Sequence, residues 1–211
     1  MQNEIFTIGY SSFSTDEFIQ ILNKYGINVI VDVRSLPYSR YKQEFNRENI
    51  KDLLLKNNIS YVFLGDNCGA RIDAAECYIN GKANYHLIAR HPKFQEGINR
   101  ICKGLEQDYN IALMCAEKDP ITCHRTILIC RNLRLKNIQI KHILQNGGIE
   151  DHSKSEKRLM KLFKLDQPAF FRTEEERLEE AYNLQAERIA YEGSNSNKGQ
   201  NINEGVACVP S

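Results

Sequence analysis

The sequence predicts an α/β fold: a three-layer, mainly parallel five-stranded sheet with helices on both faces, followed by a C-terminal helical extension. Three observations predict it. Short apolar runs of strand length alternate with stretches of helical periodicity from the N-terminus to about residue 144, which is the pattern of parallel strands joined by right-handed crossovers. Val29-Ile30-Val31 is apolar throughout, as a strand covered on both faces is. Four runs end in residues that a strand does not need: Gly9-Tyr10-Ser11, Asp32-Val33-Arg34, Gly65-Asp66 and Cys115-Ala116-Glu117. Open sheets of this kind bind ligands beyond the carboxyl ends of their strands.

The elements follow in order. Ile5-Phe6-Thr7-Ile8 reads as a strand running into a turn at Gly9. Ser14 precedes Asp16 and Glu17, and Phe18, Ile21, Leu22 and Tyr25 recur at helical spacing up to Gly26, the signature of a capped amphipathic helix. The second strand, 28–32, opens into a Pro/Ser/Arg-rich loop. Asn46 can cap a helix to about Lys56, and Tyr61-Val62-Phe63-Leu64 makes a third strand. Residues 66–90 interrupt the alternation, and connections of that length in compact domains are usually functional or mobile. Pro92 begins another helix, and 110–115 is the fourth strand. A tight loop from Ala116 to Pro120 leads to a helix expected over about 121–135, with Thr122 as its cap. Residues 138–144 alternate as an edge strand does. Two charged amphipathic helices are expected over 154–163 and 173–191. The division expected is an α/β domain over 1–150, a helical extension over 151–192 and a disordered tail over 193–211, whose Gly/Asn/Ser composition offers no core residues.

At 211 residues the chain is long enough to bury a core without staples. Lys+Arg 28 against Asp+Glu 27 leaves a net charge of +1, so no global field recruits nucleic acid or a membrane, and anion binding has to come from a local cluster. Seven cysteines are scattered, mostly inside apolar or helical patterns, as reduced thiols are. The N-terminus has neither a basic nor a long apolar signal region, and no stretch approaches the ~18 apolar residues of a membrane span. A cytoplasmic protein without membrane partners is expected.

Two segments carry chemistry. In Cys115-Ala116-Glu117-Lys118-Asp119-Pro120-Ile121-Thr122-Cys123-His124-Arg125 a strand gives way to a polar loop and a helix start. Helix-start amides favour anions, and a cysteine there beside a histidine and an arginine has a lowered pKa. In Asp32-Val33-Arg34-Ser35-Leu36-Pro37-Tyr38-Ser39-Arg40, Asp32 ends an apolar strand, where a carboxylate needs a partner. Arg34 or Arg125 can supply it.

These segments, with Thr7-Ile8-Gly9-Tyr10-Ser11, Phe63-Leu64-Gly65, Phe94-Gln95-Glu96-Gly97 and His142-Ile143-Leu144, resemble the domain of unknown function 488 family. The resemblance runs from about Thr7 to about His152 and implies a small α/β protein with its site at these motifs. It implies no reaction. The chain departs from the family's pattern at Gln43, where a proline is expected, and after Gly65, where Asp66-Asn67 replaces a second glycine.

Three readings of the site stay open. In the first, an enzyme acts on a nucleotide or nucleic-acid component. Asp32 and Glu117 serve as acid and base, or Cys115 or Cys123 as nucleophile with His124 as base, while Tyr10, Ser11, Arg34, Ser39, Arg40 and Arg125 hold substrate and its phosphate. In the second, Cys115, Cys123 and His124, joined by Glu117 or Asp32, bind zinc or iron, although neighbouring residues on a helix point about 100° apart. In the third, the arginines bind phosphate or nucleic acid without catalysis. His142 reads as a satisfied structural histidine.

Overall fold

The computed structural model of the chain describes residues 4–193. β1 (Glu4–Gly9), α1 (Thr15–Lys24), β2 (Val29–Asp32), α2 (Arg47–Lys56) and β3 (Ser60–Phe63) build the first half. The long interruption contains α3 (Gly65–Cys68), a hairpin of β4 (Tyr78–Ile79) and β5 (Lys82–Ala83), and α4 (Tyr85–Arg90). Then come α5 (Pro92–Glu106), β6 (Ile111–Cys115), a π-helical stretch Arg125–Cys130 running into α6 (Arg131–Arg134), β7 (Gln139–Ile143), β8 (Ile149–Asp151), α7 (His152–Leu162) and α8 (Glu174–Ile189).

The central sheet has the order β3-β2-β6-β1-β7-β8. All neighbours pair in parallel except β7 and β8. The fold is the expected α/β arrangement, with six strands in place of five. The sixth, β8, forms because residues 144–148 turn tightly: Leu144 N donates to Gly148 O at 2.9 Å, Gly147 N donates to Leu144 O at 2.9 Å, and Gly147 takes φ +71°. β7, whose alternation reads as an edge, is therefore an inner strand, and β8 and β3 are the edges.

Alternation along the strands separates two apolar layers. Phe6, Ile8, Ile30, Ala112 and Met114 meet α1 and α2 on one face. Ile5, Val29, Val31, Ile111 and Leu113 meet α5, the π-helical stretch, α7 and α8 on the other. The helix after β1 thus leaves toward one face and the helix after the neighbouring β6 toward the opposite face. Such a divergence opens a crevice at the carboxyl ends of the strands.

Local chemistry sets most helix ends. Ser14 and Glu17 form a capping box, with Glu17 Oε2 accepting from Ser14 N at 2.8 Å, and Gly26 follows α1 at φ +63°. Pro92 opens α5, and Thr173 with Glu176 boxes the start of α8. Asn46 precedes α2 without capping it, because its Oδ1 accepts instead from Ser39 N at 2.6 Å. The expected helix over 121–135 is broken at its start. Asp119 caps a 3-10 turn over Pro120–Thr122, Cys123 is extended (φ −126°, ψ 141°), and helical geometry begins only at His124. Thr122 is not the cap; its hydroxyl donates back to Asp119 O at 3.0 Å.

The C-terminal helices pack on the second layer through Leu159, Met160, Leu178, Ala181 and Tyr182. All but the first residue of the expected tail lies outside the described residues. No helix among the described residues is long and apolar enough to cross a membrane.

A buried polar chain joins this layer to the sheet. Thr7 Oγ1 meets His142 Nδ1 at 2.8 Å, His142 Nε2 meets His152 Nδ1 at 2.9 Å, and His152 Nε2 meets the Tyr182 hydroxyl at 3.0 Å. His142 is thus the satisfied structural histidine expected. Burial, joined by the neighbouring His152, holds it well below the usual histidine range, and burial with the Arg134 charge lowers His152 to about 4. Both rings fold neutral, and the unfolded chain binds their protons first. Stability contributed by His152 is therefore complete above its unfolded value near ~6.5 and is lost as pH falls toward about 4, a loss of roughly 3 kcal/mol for that ring. Urea unfolding between pH 7 and pH 4.5 should show this slope, and His152→Gln should flatten it relative to the parent chain.

Candidate functional site

Asp32 ends β2 and is completely buried. Its Oδ1 accepts from Arg34 N at 3.1 Å and Arg34 Nε at 2.9 Å; its Oδ2 accepts from Arg34 Nη2 at 2.6 Å and from the Tyr61 hydroxyl at 2.7 Å. Both oxygens are fully engaged, so Asp32 lies behind the site and orients Arg34. Arg34 is itself 5% exposed. Its Nη2 also donates to Phe45 O at 3.0 Å, and its Cζ lies 4.9 Å from the centre of the Tyr10 ring. Burial opposes the charge on Arg34, but Asp32 holds its pKa above the ordinary arginine value. Its Nη1 is buried and has no hydrogen-bond partner among the described residues.

The loop after β6 crosses the end of β1. Gly9 is paired with Cys115, and a Cβ on Gly9 would stand 1.8 Å from Glu117 O. Arg125, fully buried, fixes the loop from beneath: Nη1 donates to Glu117 O at 2.7 Å, Nη2 to Lys118 O at 3.5 Å, and Nε to Thr7 Oγ1 at 3.4 Å. Ser11 N donates to Ala116 O at 3.2 Å from the other side.

This loop gathers Cys115, Glu117, Cys123 and His124, one ligand atom from each lying within 4.8 Å of all the others. Glu117 is exposed along its stem, but its Oε2 turns inward and accepts from both Cys115 Sγ and Cys123 Sγ at 2.9 Å. His124 Nδ1 stands 3.7 Å from Cys115 Sγ and 3.9 Å from Cys123 Sγ, while its Nε2 meets Val33 O at 2.9 Å. A carbonyl only accepts, so Nε2 carries the proton. Burial raises the Glu117 carboxyl, and the Cys123 sulfur adds to the rise. The hydrogen bond to Cys123, with burial, pushes the Cys115 thiol up. Burial also works against ionising Cys123, but Cys115, Arg125 and His124 outweigh it and draw that thiol below its ordinary value. The Arg125 amide donates to Cys123 Sγ at 3.4 Å as well.

A cleft of about 440 Å³ opens over this cluster. Of the residues singled out in the sequence, Tyr10, Arg34, Ser39, Cys115, Glu117 and His124 line it; Asp32, Cys123 and Arg125 lie beneath its wall, Ser11 supports the loop, and Arg40 is exposed outside it. Sequence reasoning missed Arg71, Tyr85, Ile189 and Tyr191, which also line it. Arg71 stacks over Tyr191 with its Cζ 4.1 Å from the ring centre. The only sequence signal for the first two was the unusual length of 66–90. Larger grooves of about 900 and 570 Å³ run along α8 and α6. They contain none of the clustered cysteines, so chemistry, not volume, marks the site.

A family model described as a domain of unknown function, DUF488, matches residues 14–131. The chain belongs to that family. The match covers both chemistry-bearing segments, from β2 through the π-helical stretch, and stops short of α8, whose end contributes Ile189 to the cleft wall. No curated protein and no solved structure matches the chain.

Substitutions at two positions test the supports of the site. Asp32→Ala leaves the Arg34 charge buried and unpaired and should cost about 3–5 kcal/mol, whereas Asp32→Asn keeps one oxygen acceptor and the volume of the side chain and should cost less. Gly9→Ala should cost about 1–3 kcal/mol by displacing the Glu117 carbonyl. Urea unfolding measures both.

Proposed function

We propose that the chain is an enzyme that takes an anionic, phosphate-bearing substrate, a nucleotide or a component of nucleic acid, into this cleft and acts on it with the Cys115–Glu117–Cys123–His124 cluster. The observation that carries the reading is Arg34. Its guanidinium is oriented by Asp32 and keeps one buried nitrogen without a partner among the described residues, in the same wall as Cys115, Glu117 and His124. A preoriented guanidinium suits phosphate oxygens. The cleft volume falls within the range of small-molecule sites, and Tyr10, Tyr38, Tyr85 and Tyr191 in its walls offer aromatic surface to a base.

In this reading Arg34 is the principal phosphate contact, with Arg71, Tyr10 and Ser39 beside it. Asp32 positions Arg34, and Arg125 positions the reacting loop. Glu117 is the carboxylate within reach of substrate, whereas the lone pairs of Asp32 are already taken. A purely binding role leaves unexplained why two thiols and an imidazole converge on one carboxylate. We place the reacting unit in an α/β domain over 1–150, with 151–192 as an extension that completes the cleft wall. The six described cysteines are all free thiols, which favours a reducing, cytoplasmic setting.

Calorimetric titration with nucleoside monophosphates, nucleosides and inorganic phosphate tests the binding half. Monophosphates should bind and nucleosides should not. Arg34→Lys, which keeps charge but loses the fork, should weaken monophosphate binding by about 1.5–3 kcal/mol, tenfold or more, while the thermal melt shows that the chain remains folded. Equal affinity for nucleosides and monophosphates would remove phosphate from the proposal. Once a turned-over substrate is found, Glu117→Gln and Cys115→Ser should abolish turnover while substrate still binds. Turnover that survives both changes would take the cluster out of the reaction.

A further inference from the structure

We infer that Cys115, Cys123 and His124 are the three protein ligands of a zinc ion, with Glu117 at the fourth, exchangeable position facing the cleft. The inference rests on reading the cluster as the reacting centre and names the cofactor that centre uses.

Geometry carries it. Tetrahedral zinc, with bonds of ~2.3 Å to sulfur and ~2.0 Å to nitrogen, sets sulfur and nitrogen about 3.5 Å apart. His124 Nδ1 stands 3.7 and 3.9 Å from the two sulfurs. The lone pair of that nitrogen is free toward them because the other ring nitrogen donates to Val33 O. Metal-bound histidines are held in just this way, with the distal N–H on a carbonyl or carboxylate. The objection that adjacent cysteine and histidine diverge holds only on a helix. Here Cys123 is extended and His124 begins the helix, so sulfur and imidazole converge.

The donor types point the same way. Two thiols and one imidazole are soft and borderline ligands, which select zinc over calcium or magnesium. Two buried cysteines each stand within hydrogen-bonding distance of the Glu117 carboxylate. Arg125 supplies one positive charge nearby, but its side-chain N–H groups go to backbone carbonyls and Thr7 and its charge is shared among the three groups. A divalent cation at the centre compensates such a group far better than one imidazolium does. Glu117 Oε2, at 2.9 Å from each sulfur, is closer to them than a fourth ligand would be. It has only to draw back by about half an ångström, or yield to water, for the coordination of a catalytic zinc with three protein ligands.

The full-length chain, stripped with a chelator under reducing conditions, is titrated with zinc against a chromophoric chelator and with cobalt(II) by absorption. One equivalent of zinc should bind per chain. Cobalt should show thiolate charge-transfer bands and the intense visible bands of a four-coordinate ion. Cys123→Ser and His124→Ala should each weaken zinc binding by at least about a hundredfold, and Cys102→Ser, a thiol on α5 far from the cluster in sequence, should change nothing. If the ligand variants do not fold, the cobalt spectrum of the parent chain decides. A parent chain that stays metal-free in micromolar zinc, or whose cobalt spectrum is that of the hydrated ion, overturns the inference. Monophosphate titration of both the stripped and the zinc-loaded chain separates the two proposals: phosphate binding through Arg34 in a chain that takes up no zinc refutes only the metal, and zinc binding with no phosphate affinity in either form refutes only the substrate class.

Discussion

A guanidinium carried into a protein interior has to find acceptors for five N–H bonds, and the rest of this site depends on where Arg125 finds them. It turns to the backbone of the loop after β6, gripping the carbonyls of Glu117 and Lys118, and to the Thr7 hydroxyl on β1. That grip draws the loop across the end of β1 until Glu117 O occupies the space where a side chain at residue 9 would begin. Glycine at that position follows from the contact. With the carbonyl of Glu117 held below, its side chain turns back toward the sulfurs at the two ends of the loop. The cluster is thus imposed by a backbone clamp on a short loop and needs no long-range coincidence of side chains.

The same arginine ends a polar chain that runs through the molecule. Thr7 bonds Arg125 on one side and His142 on the other; His142 bonds His152, and His152 meets Tyr182, whose hydroxyl donates to Glu156 at 2.9 Å. Each group is buried or nearly so, so each depends on its neighbours for hydrogen bonding, and removing one strands the next. The chain couples α7 and α8 to the floor of the site. Just beyond and within the end of α8, Tyr191 and Ile189 form part of the cleft wall. The end of α8 therefore belongs to the site geometrically, although the family match ends before it.

Features set by local chemistry were legible in the sequence. The capping box at Ser14, proline at the start of α5 and the unbroken apolar run of β2 each depend on a few consecutive residues. The concentration of polar residues at strand ends indicated the edge that bears the site. What could not be read depended on partners distant in the chain. Asp32 looked as available as Glu117, and only Tyr61 from the neighbouring strand, with the fold-back of Arg34, uses up its lone pairs. The helix expected from residue 121 fails at Cys123 because Asp119 caps a separate turn, and this break is what brings Cys123 and His124 to one point. Arg71 reaches the cleft wall beside Tyr191, a residue 120 positions away.

Charge links the two proposals to each other. Asp32 and Arg34 form a closed pair whose charges cancel, leaving Arg34 able to orient an anion but with little net attraction to offer it. Beside them, Cys115, Cys123 and Glu117 form an acidic group set against the His124 imidazole and the buried Arg125 guanidinium. An incoming phosphate would meet that group at short range in a partly enclosed cleft, where like charges repel more strongly than in water. Arg71, whose amide donates to Ser35 Oγ at 2.9 Å, adds a positive charge near Arg34, but its side chain is exposed and stacks over Tyr191. A divalent cation bound between the sulfurs changes the sign of the balance: it stabilises both thiolates, relieves Glu117, and turns the part of the cleft next to Arg34 from repulsive to attractive for an anion. A phosphate site built around Arg34 would thus gain from a metal-loaded cluster, and the proposed cation would serve both the proposed reacting centre and the binding of its anionic substrate.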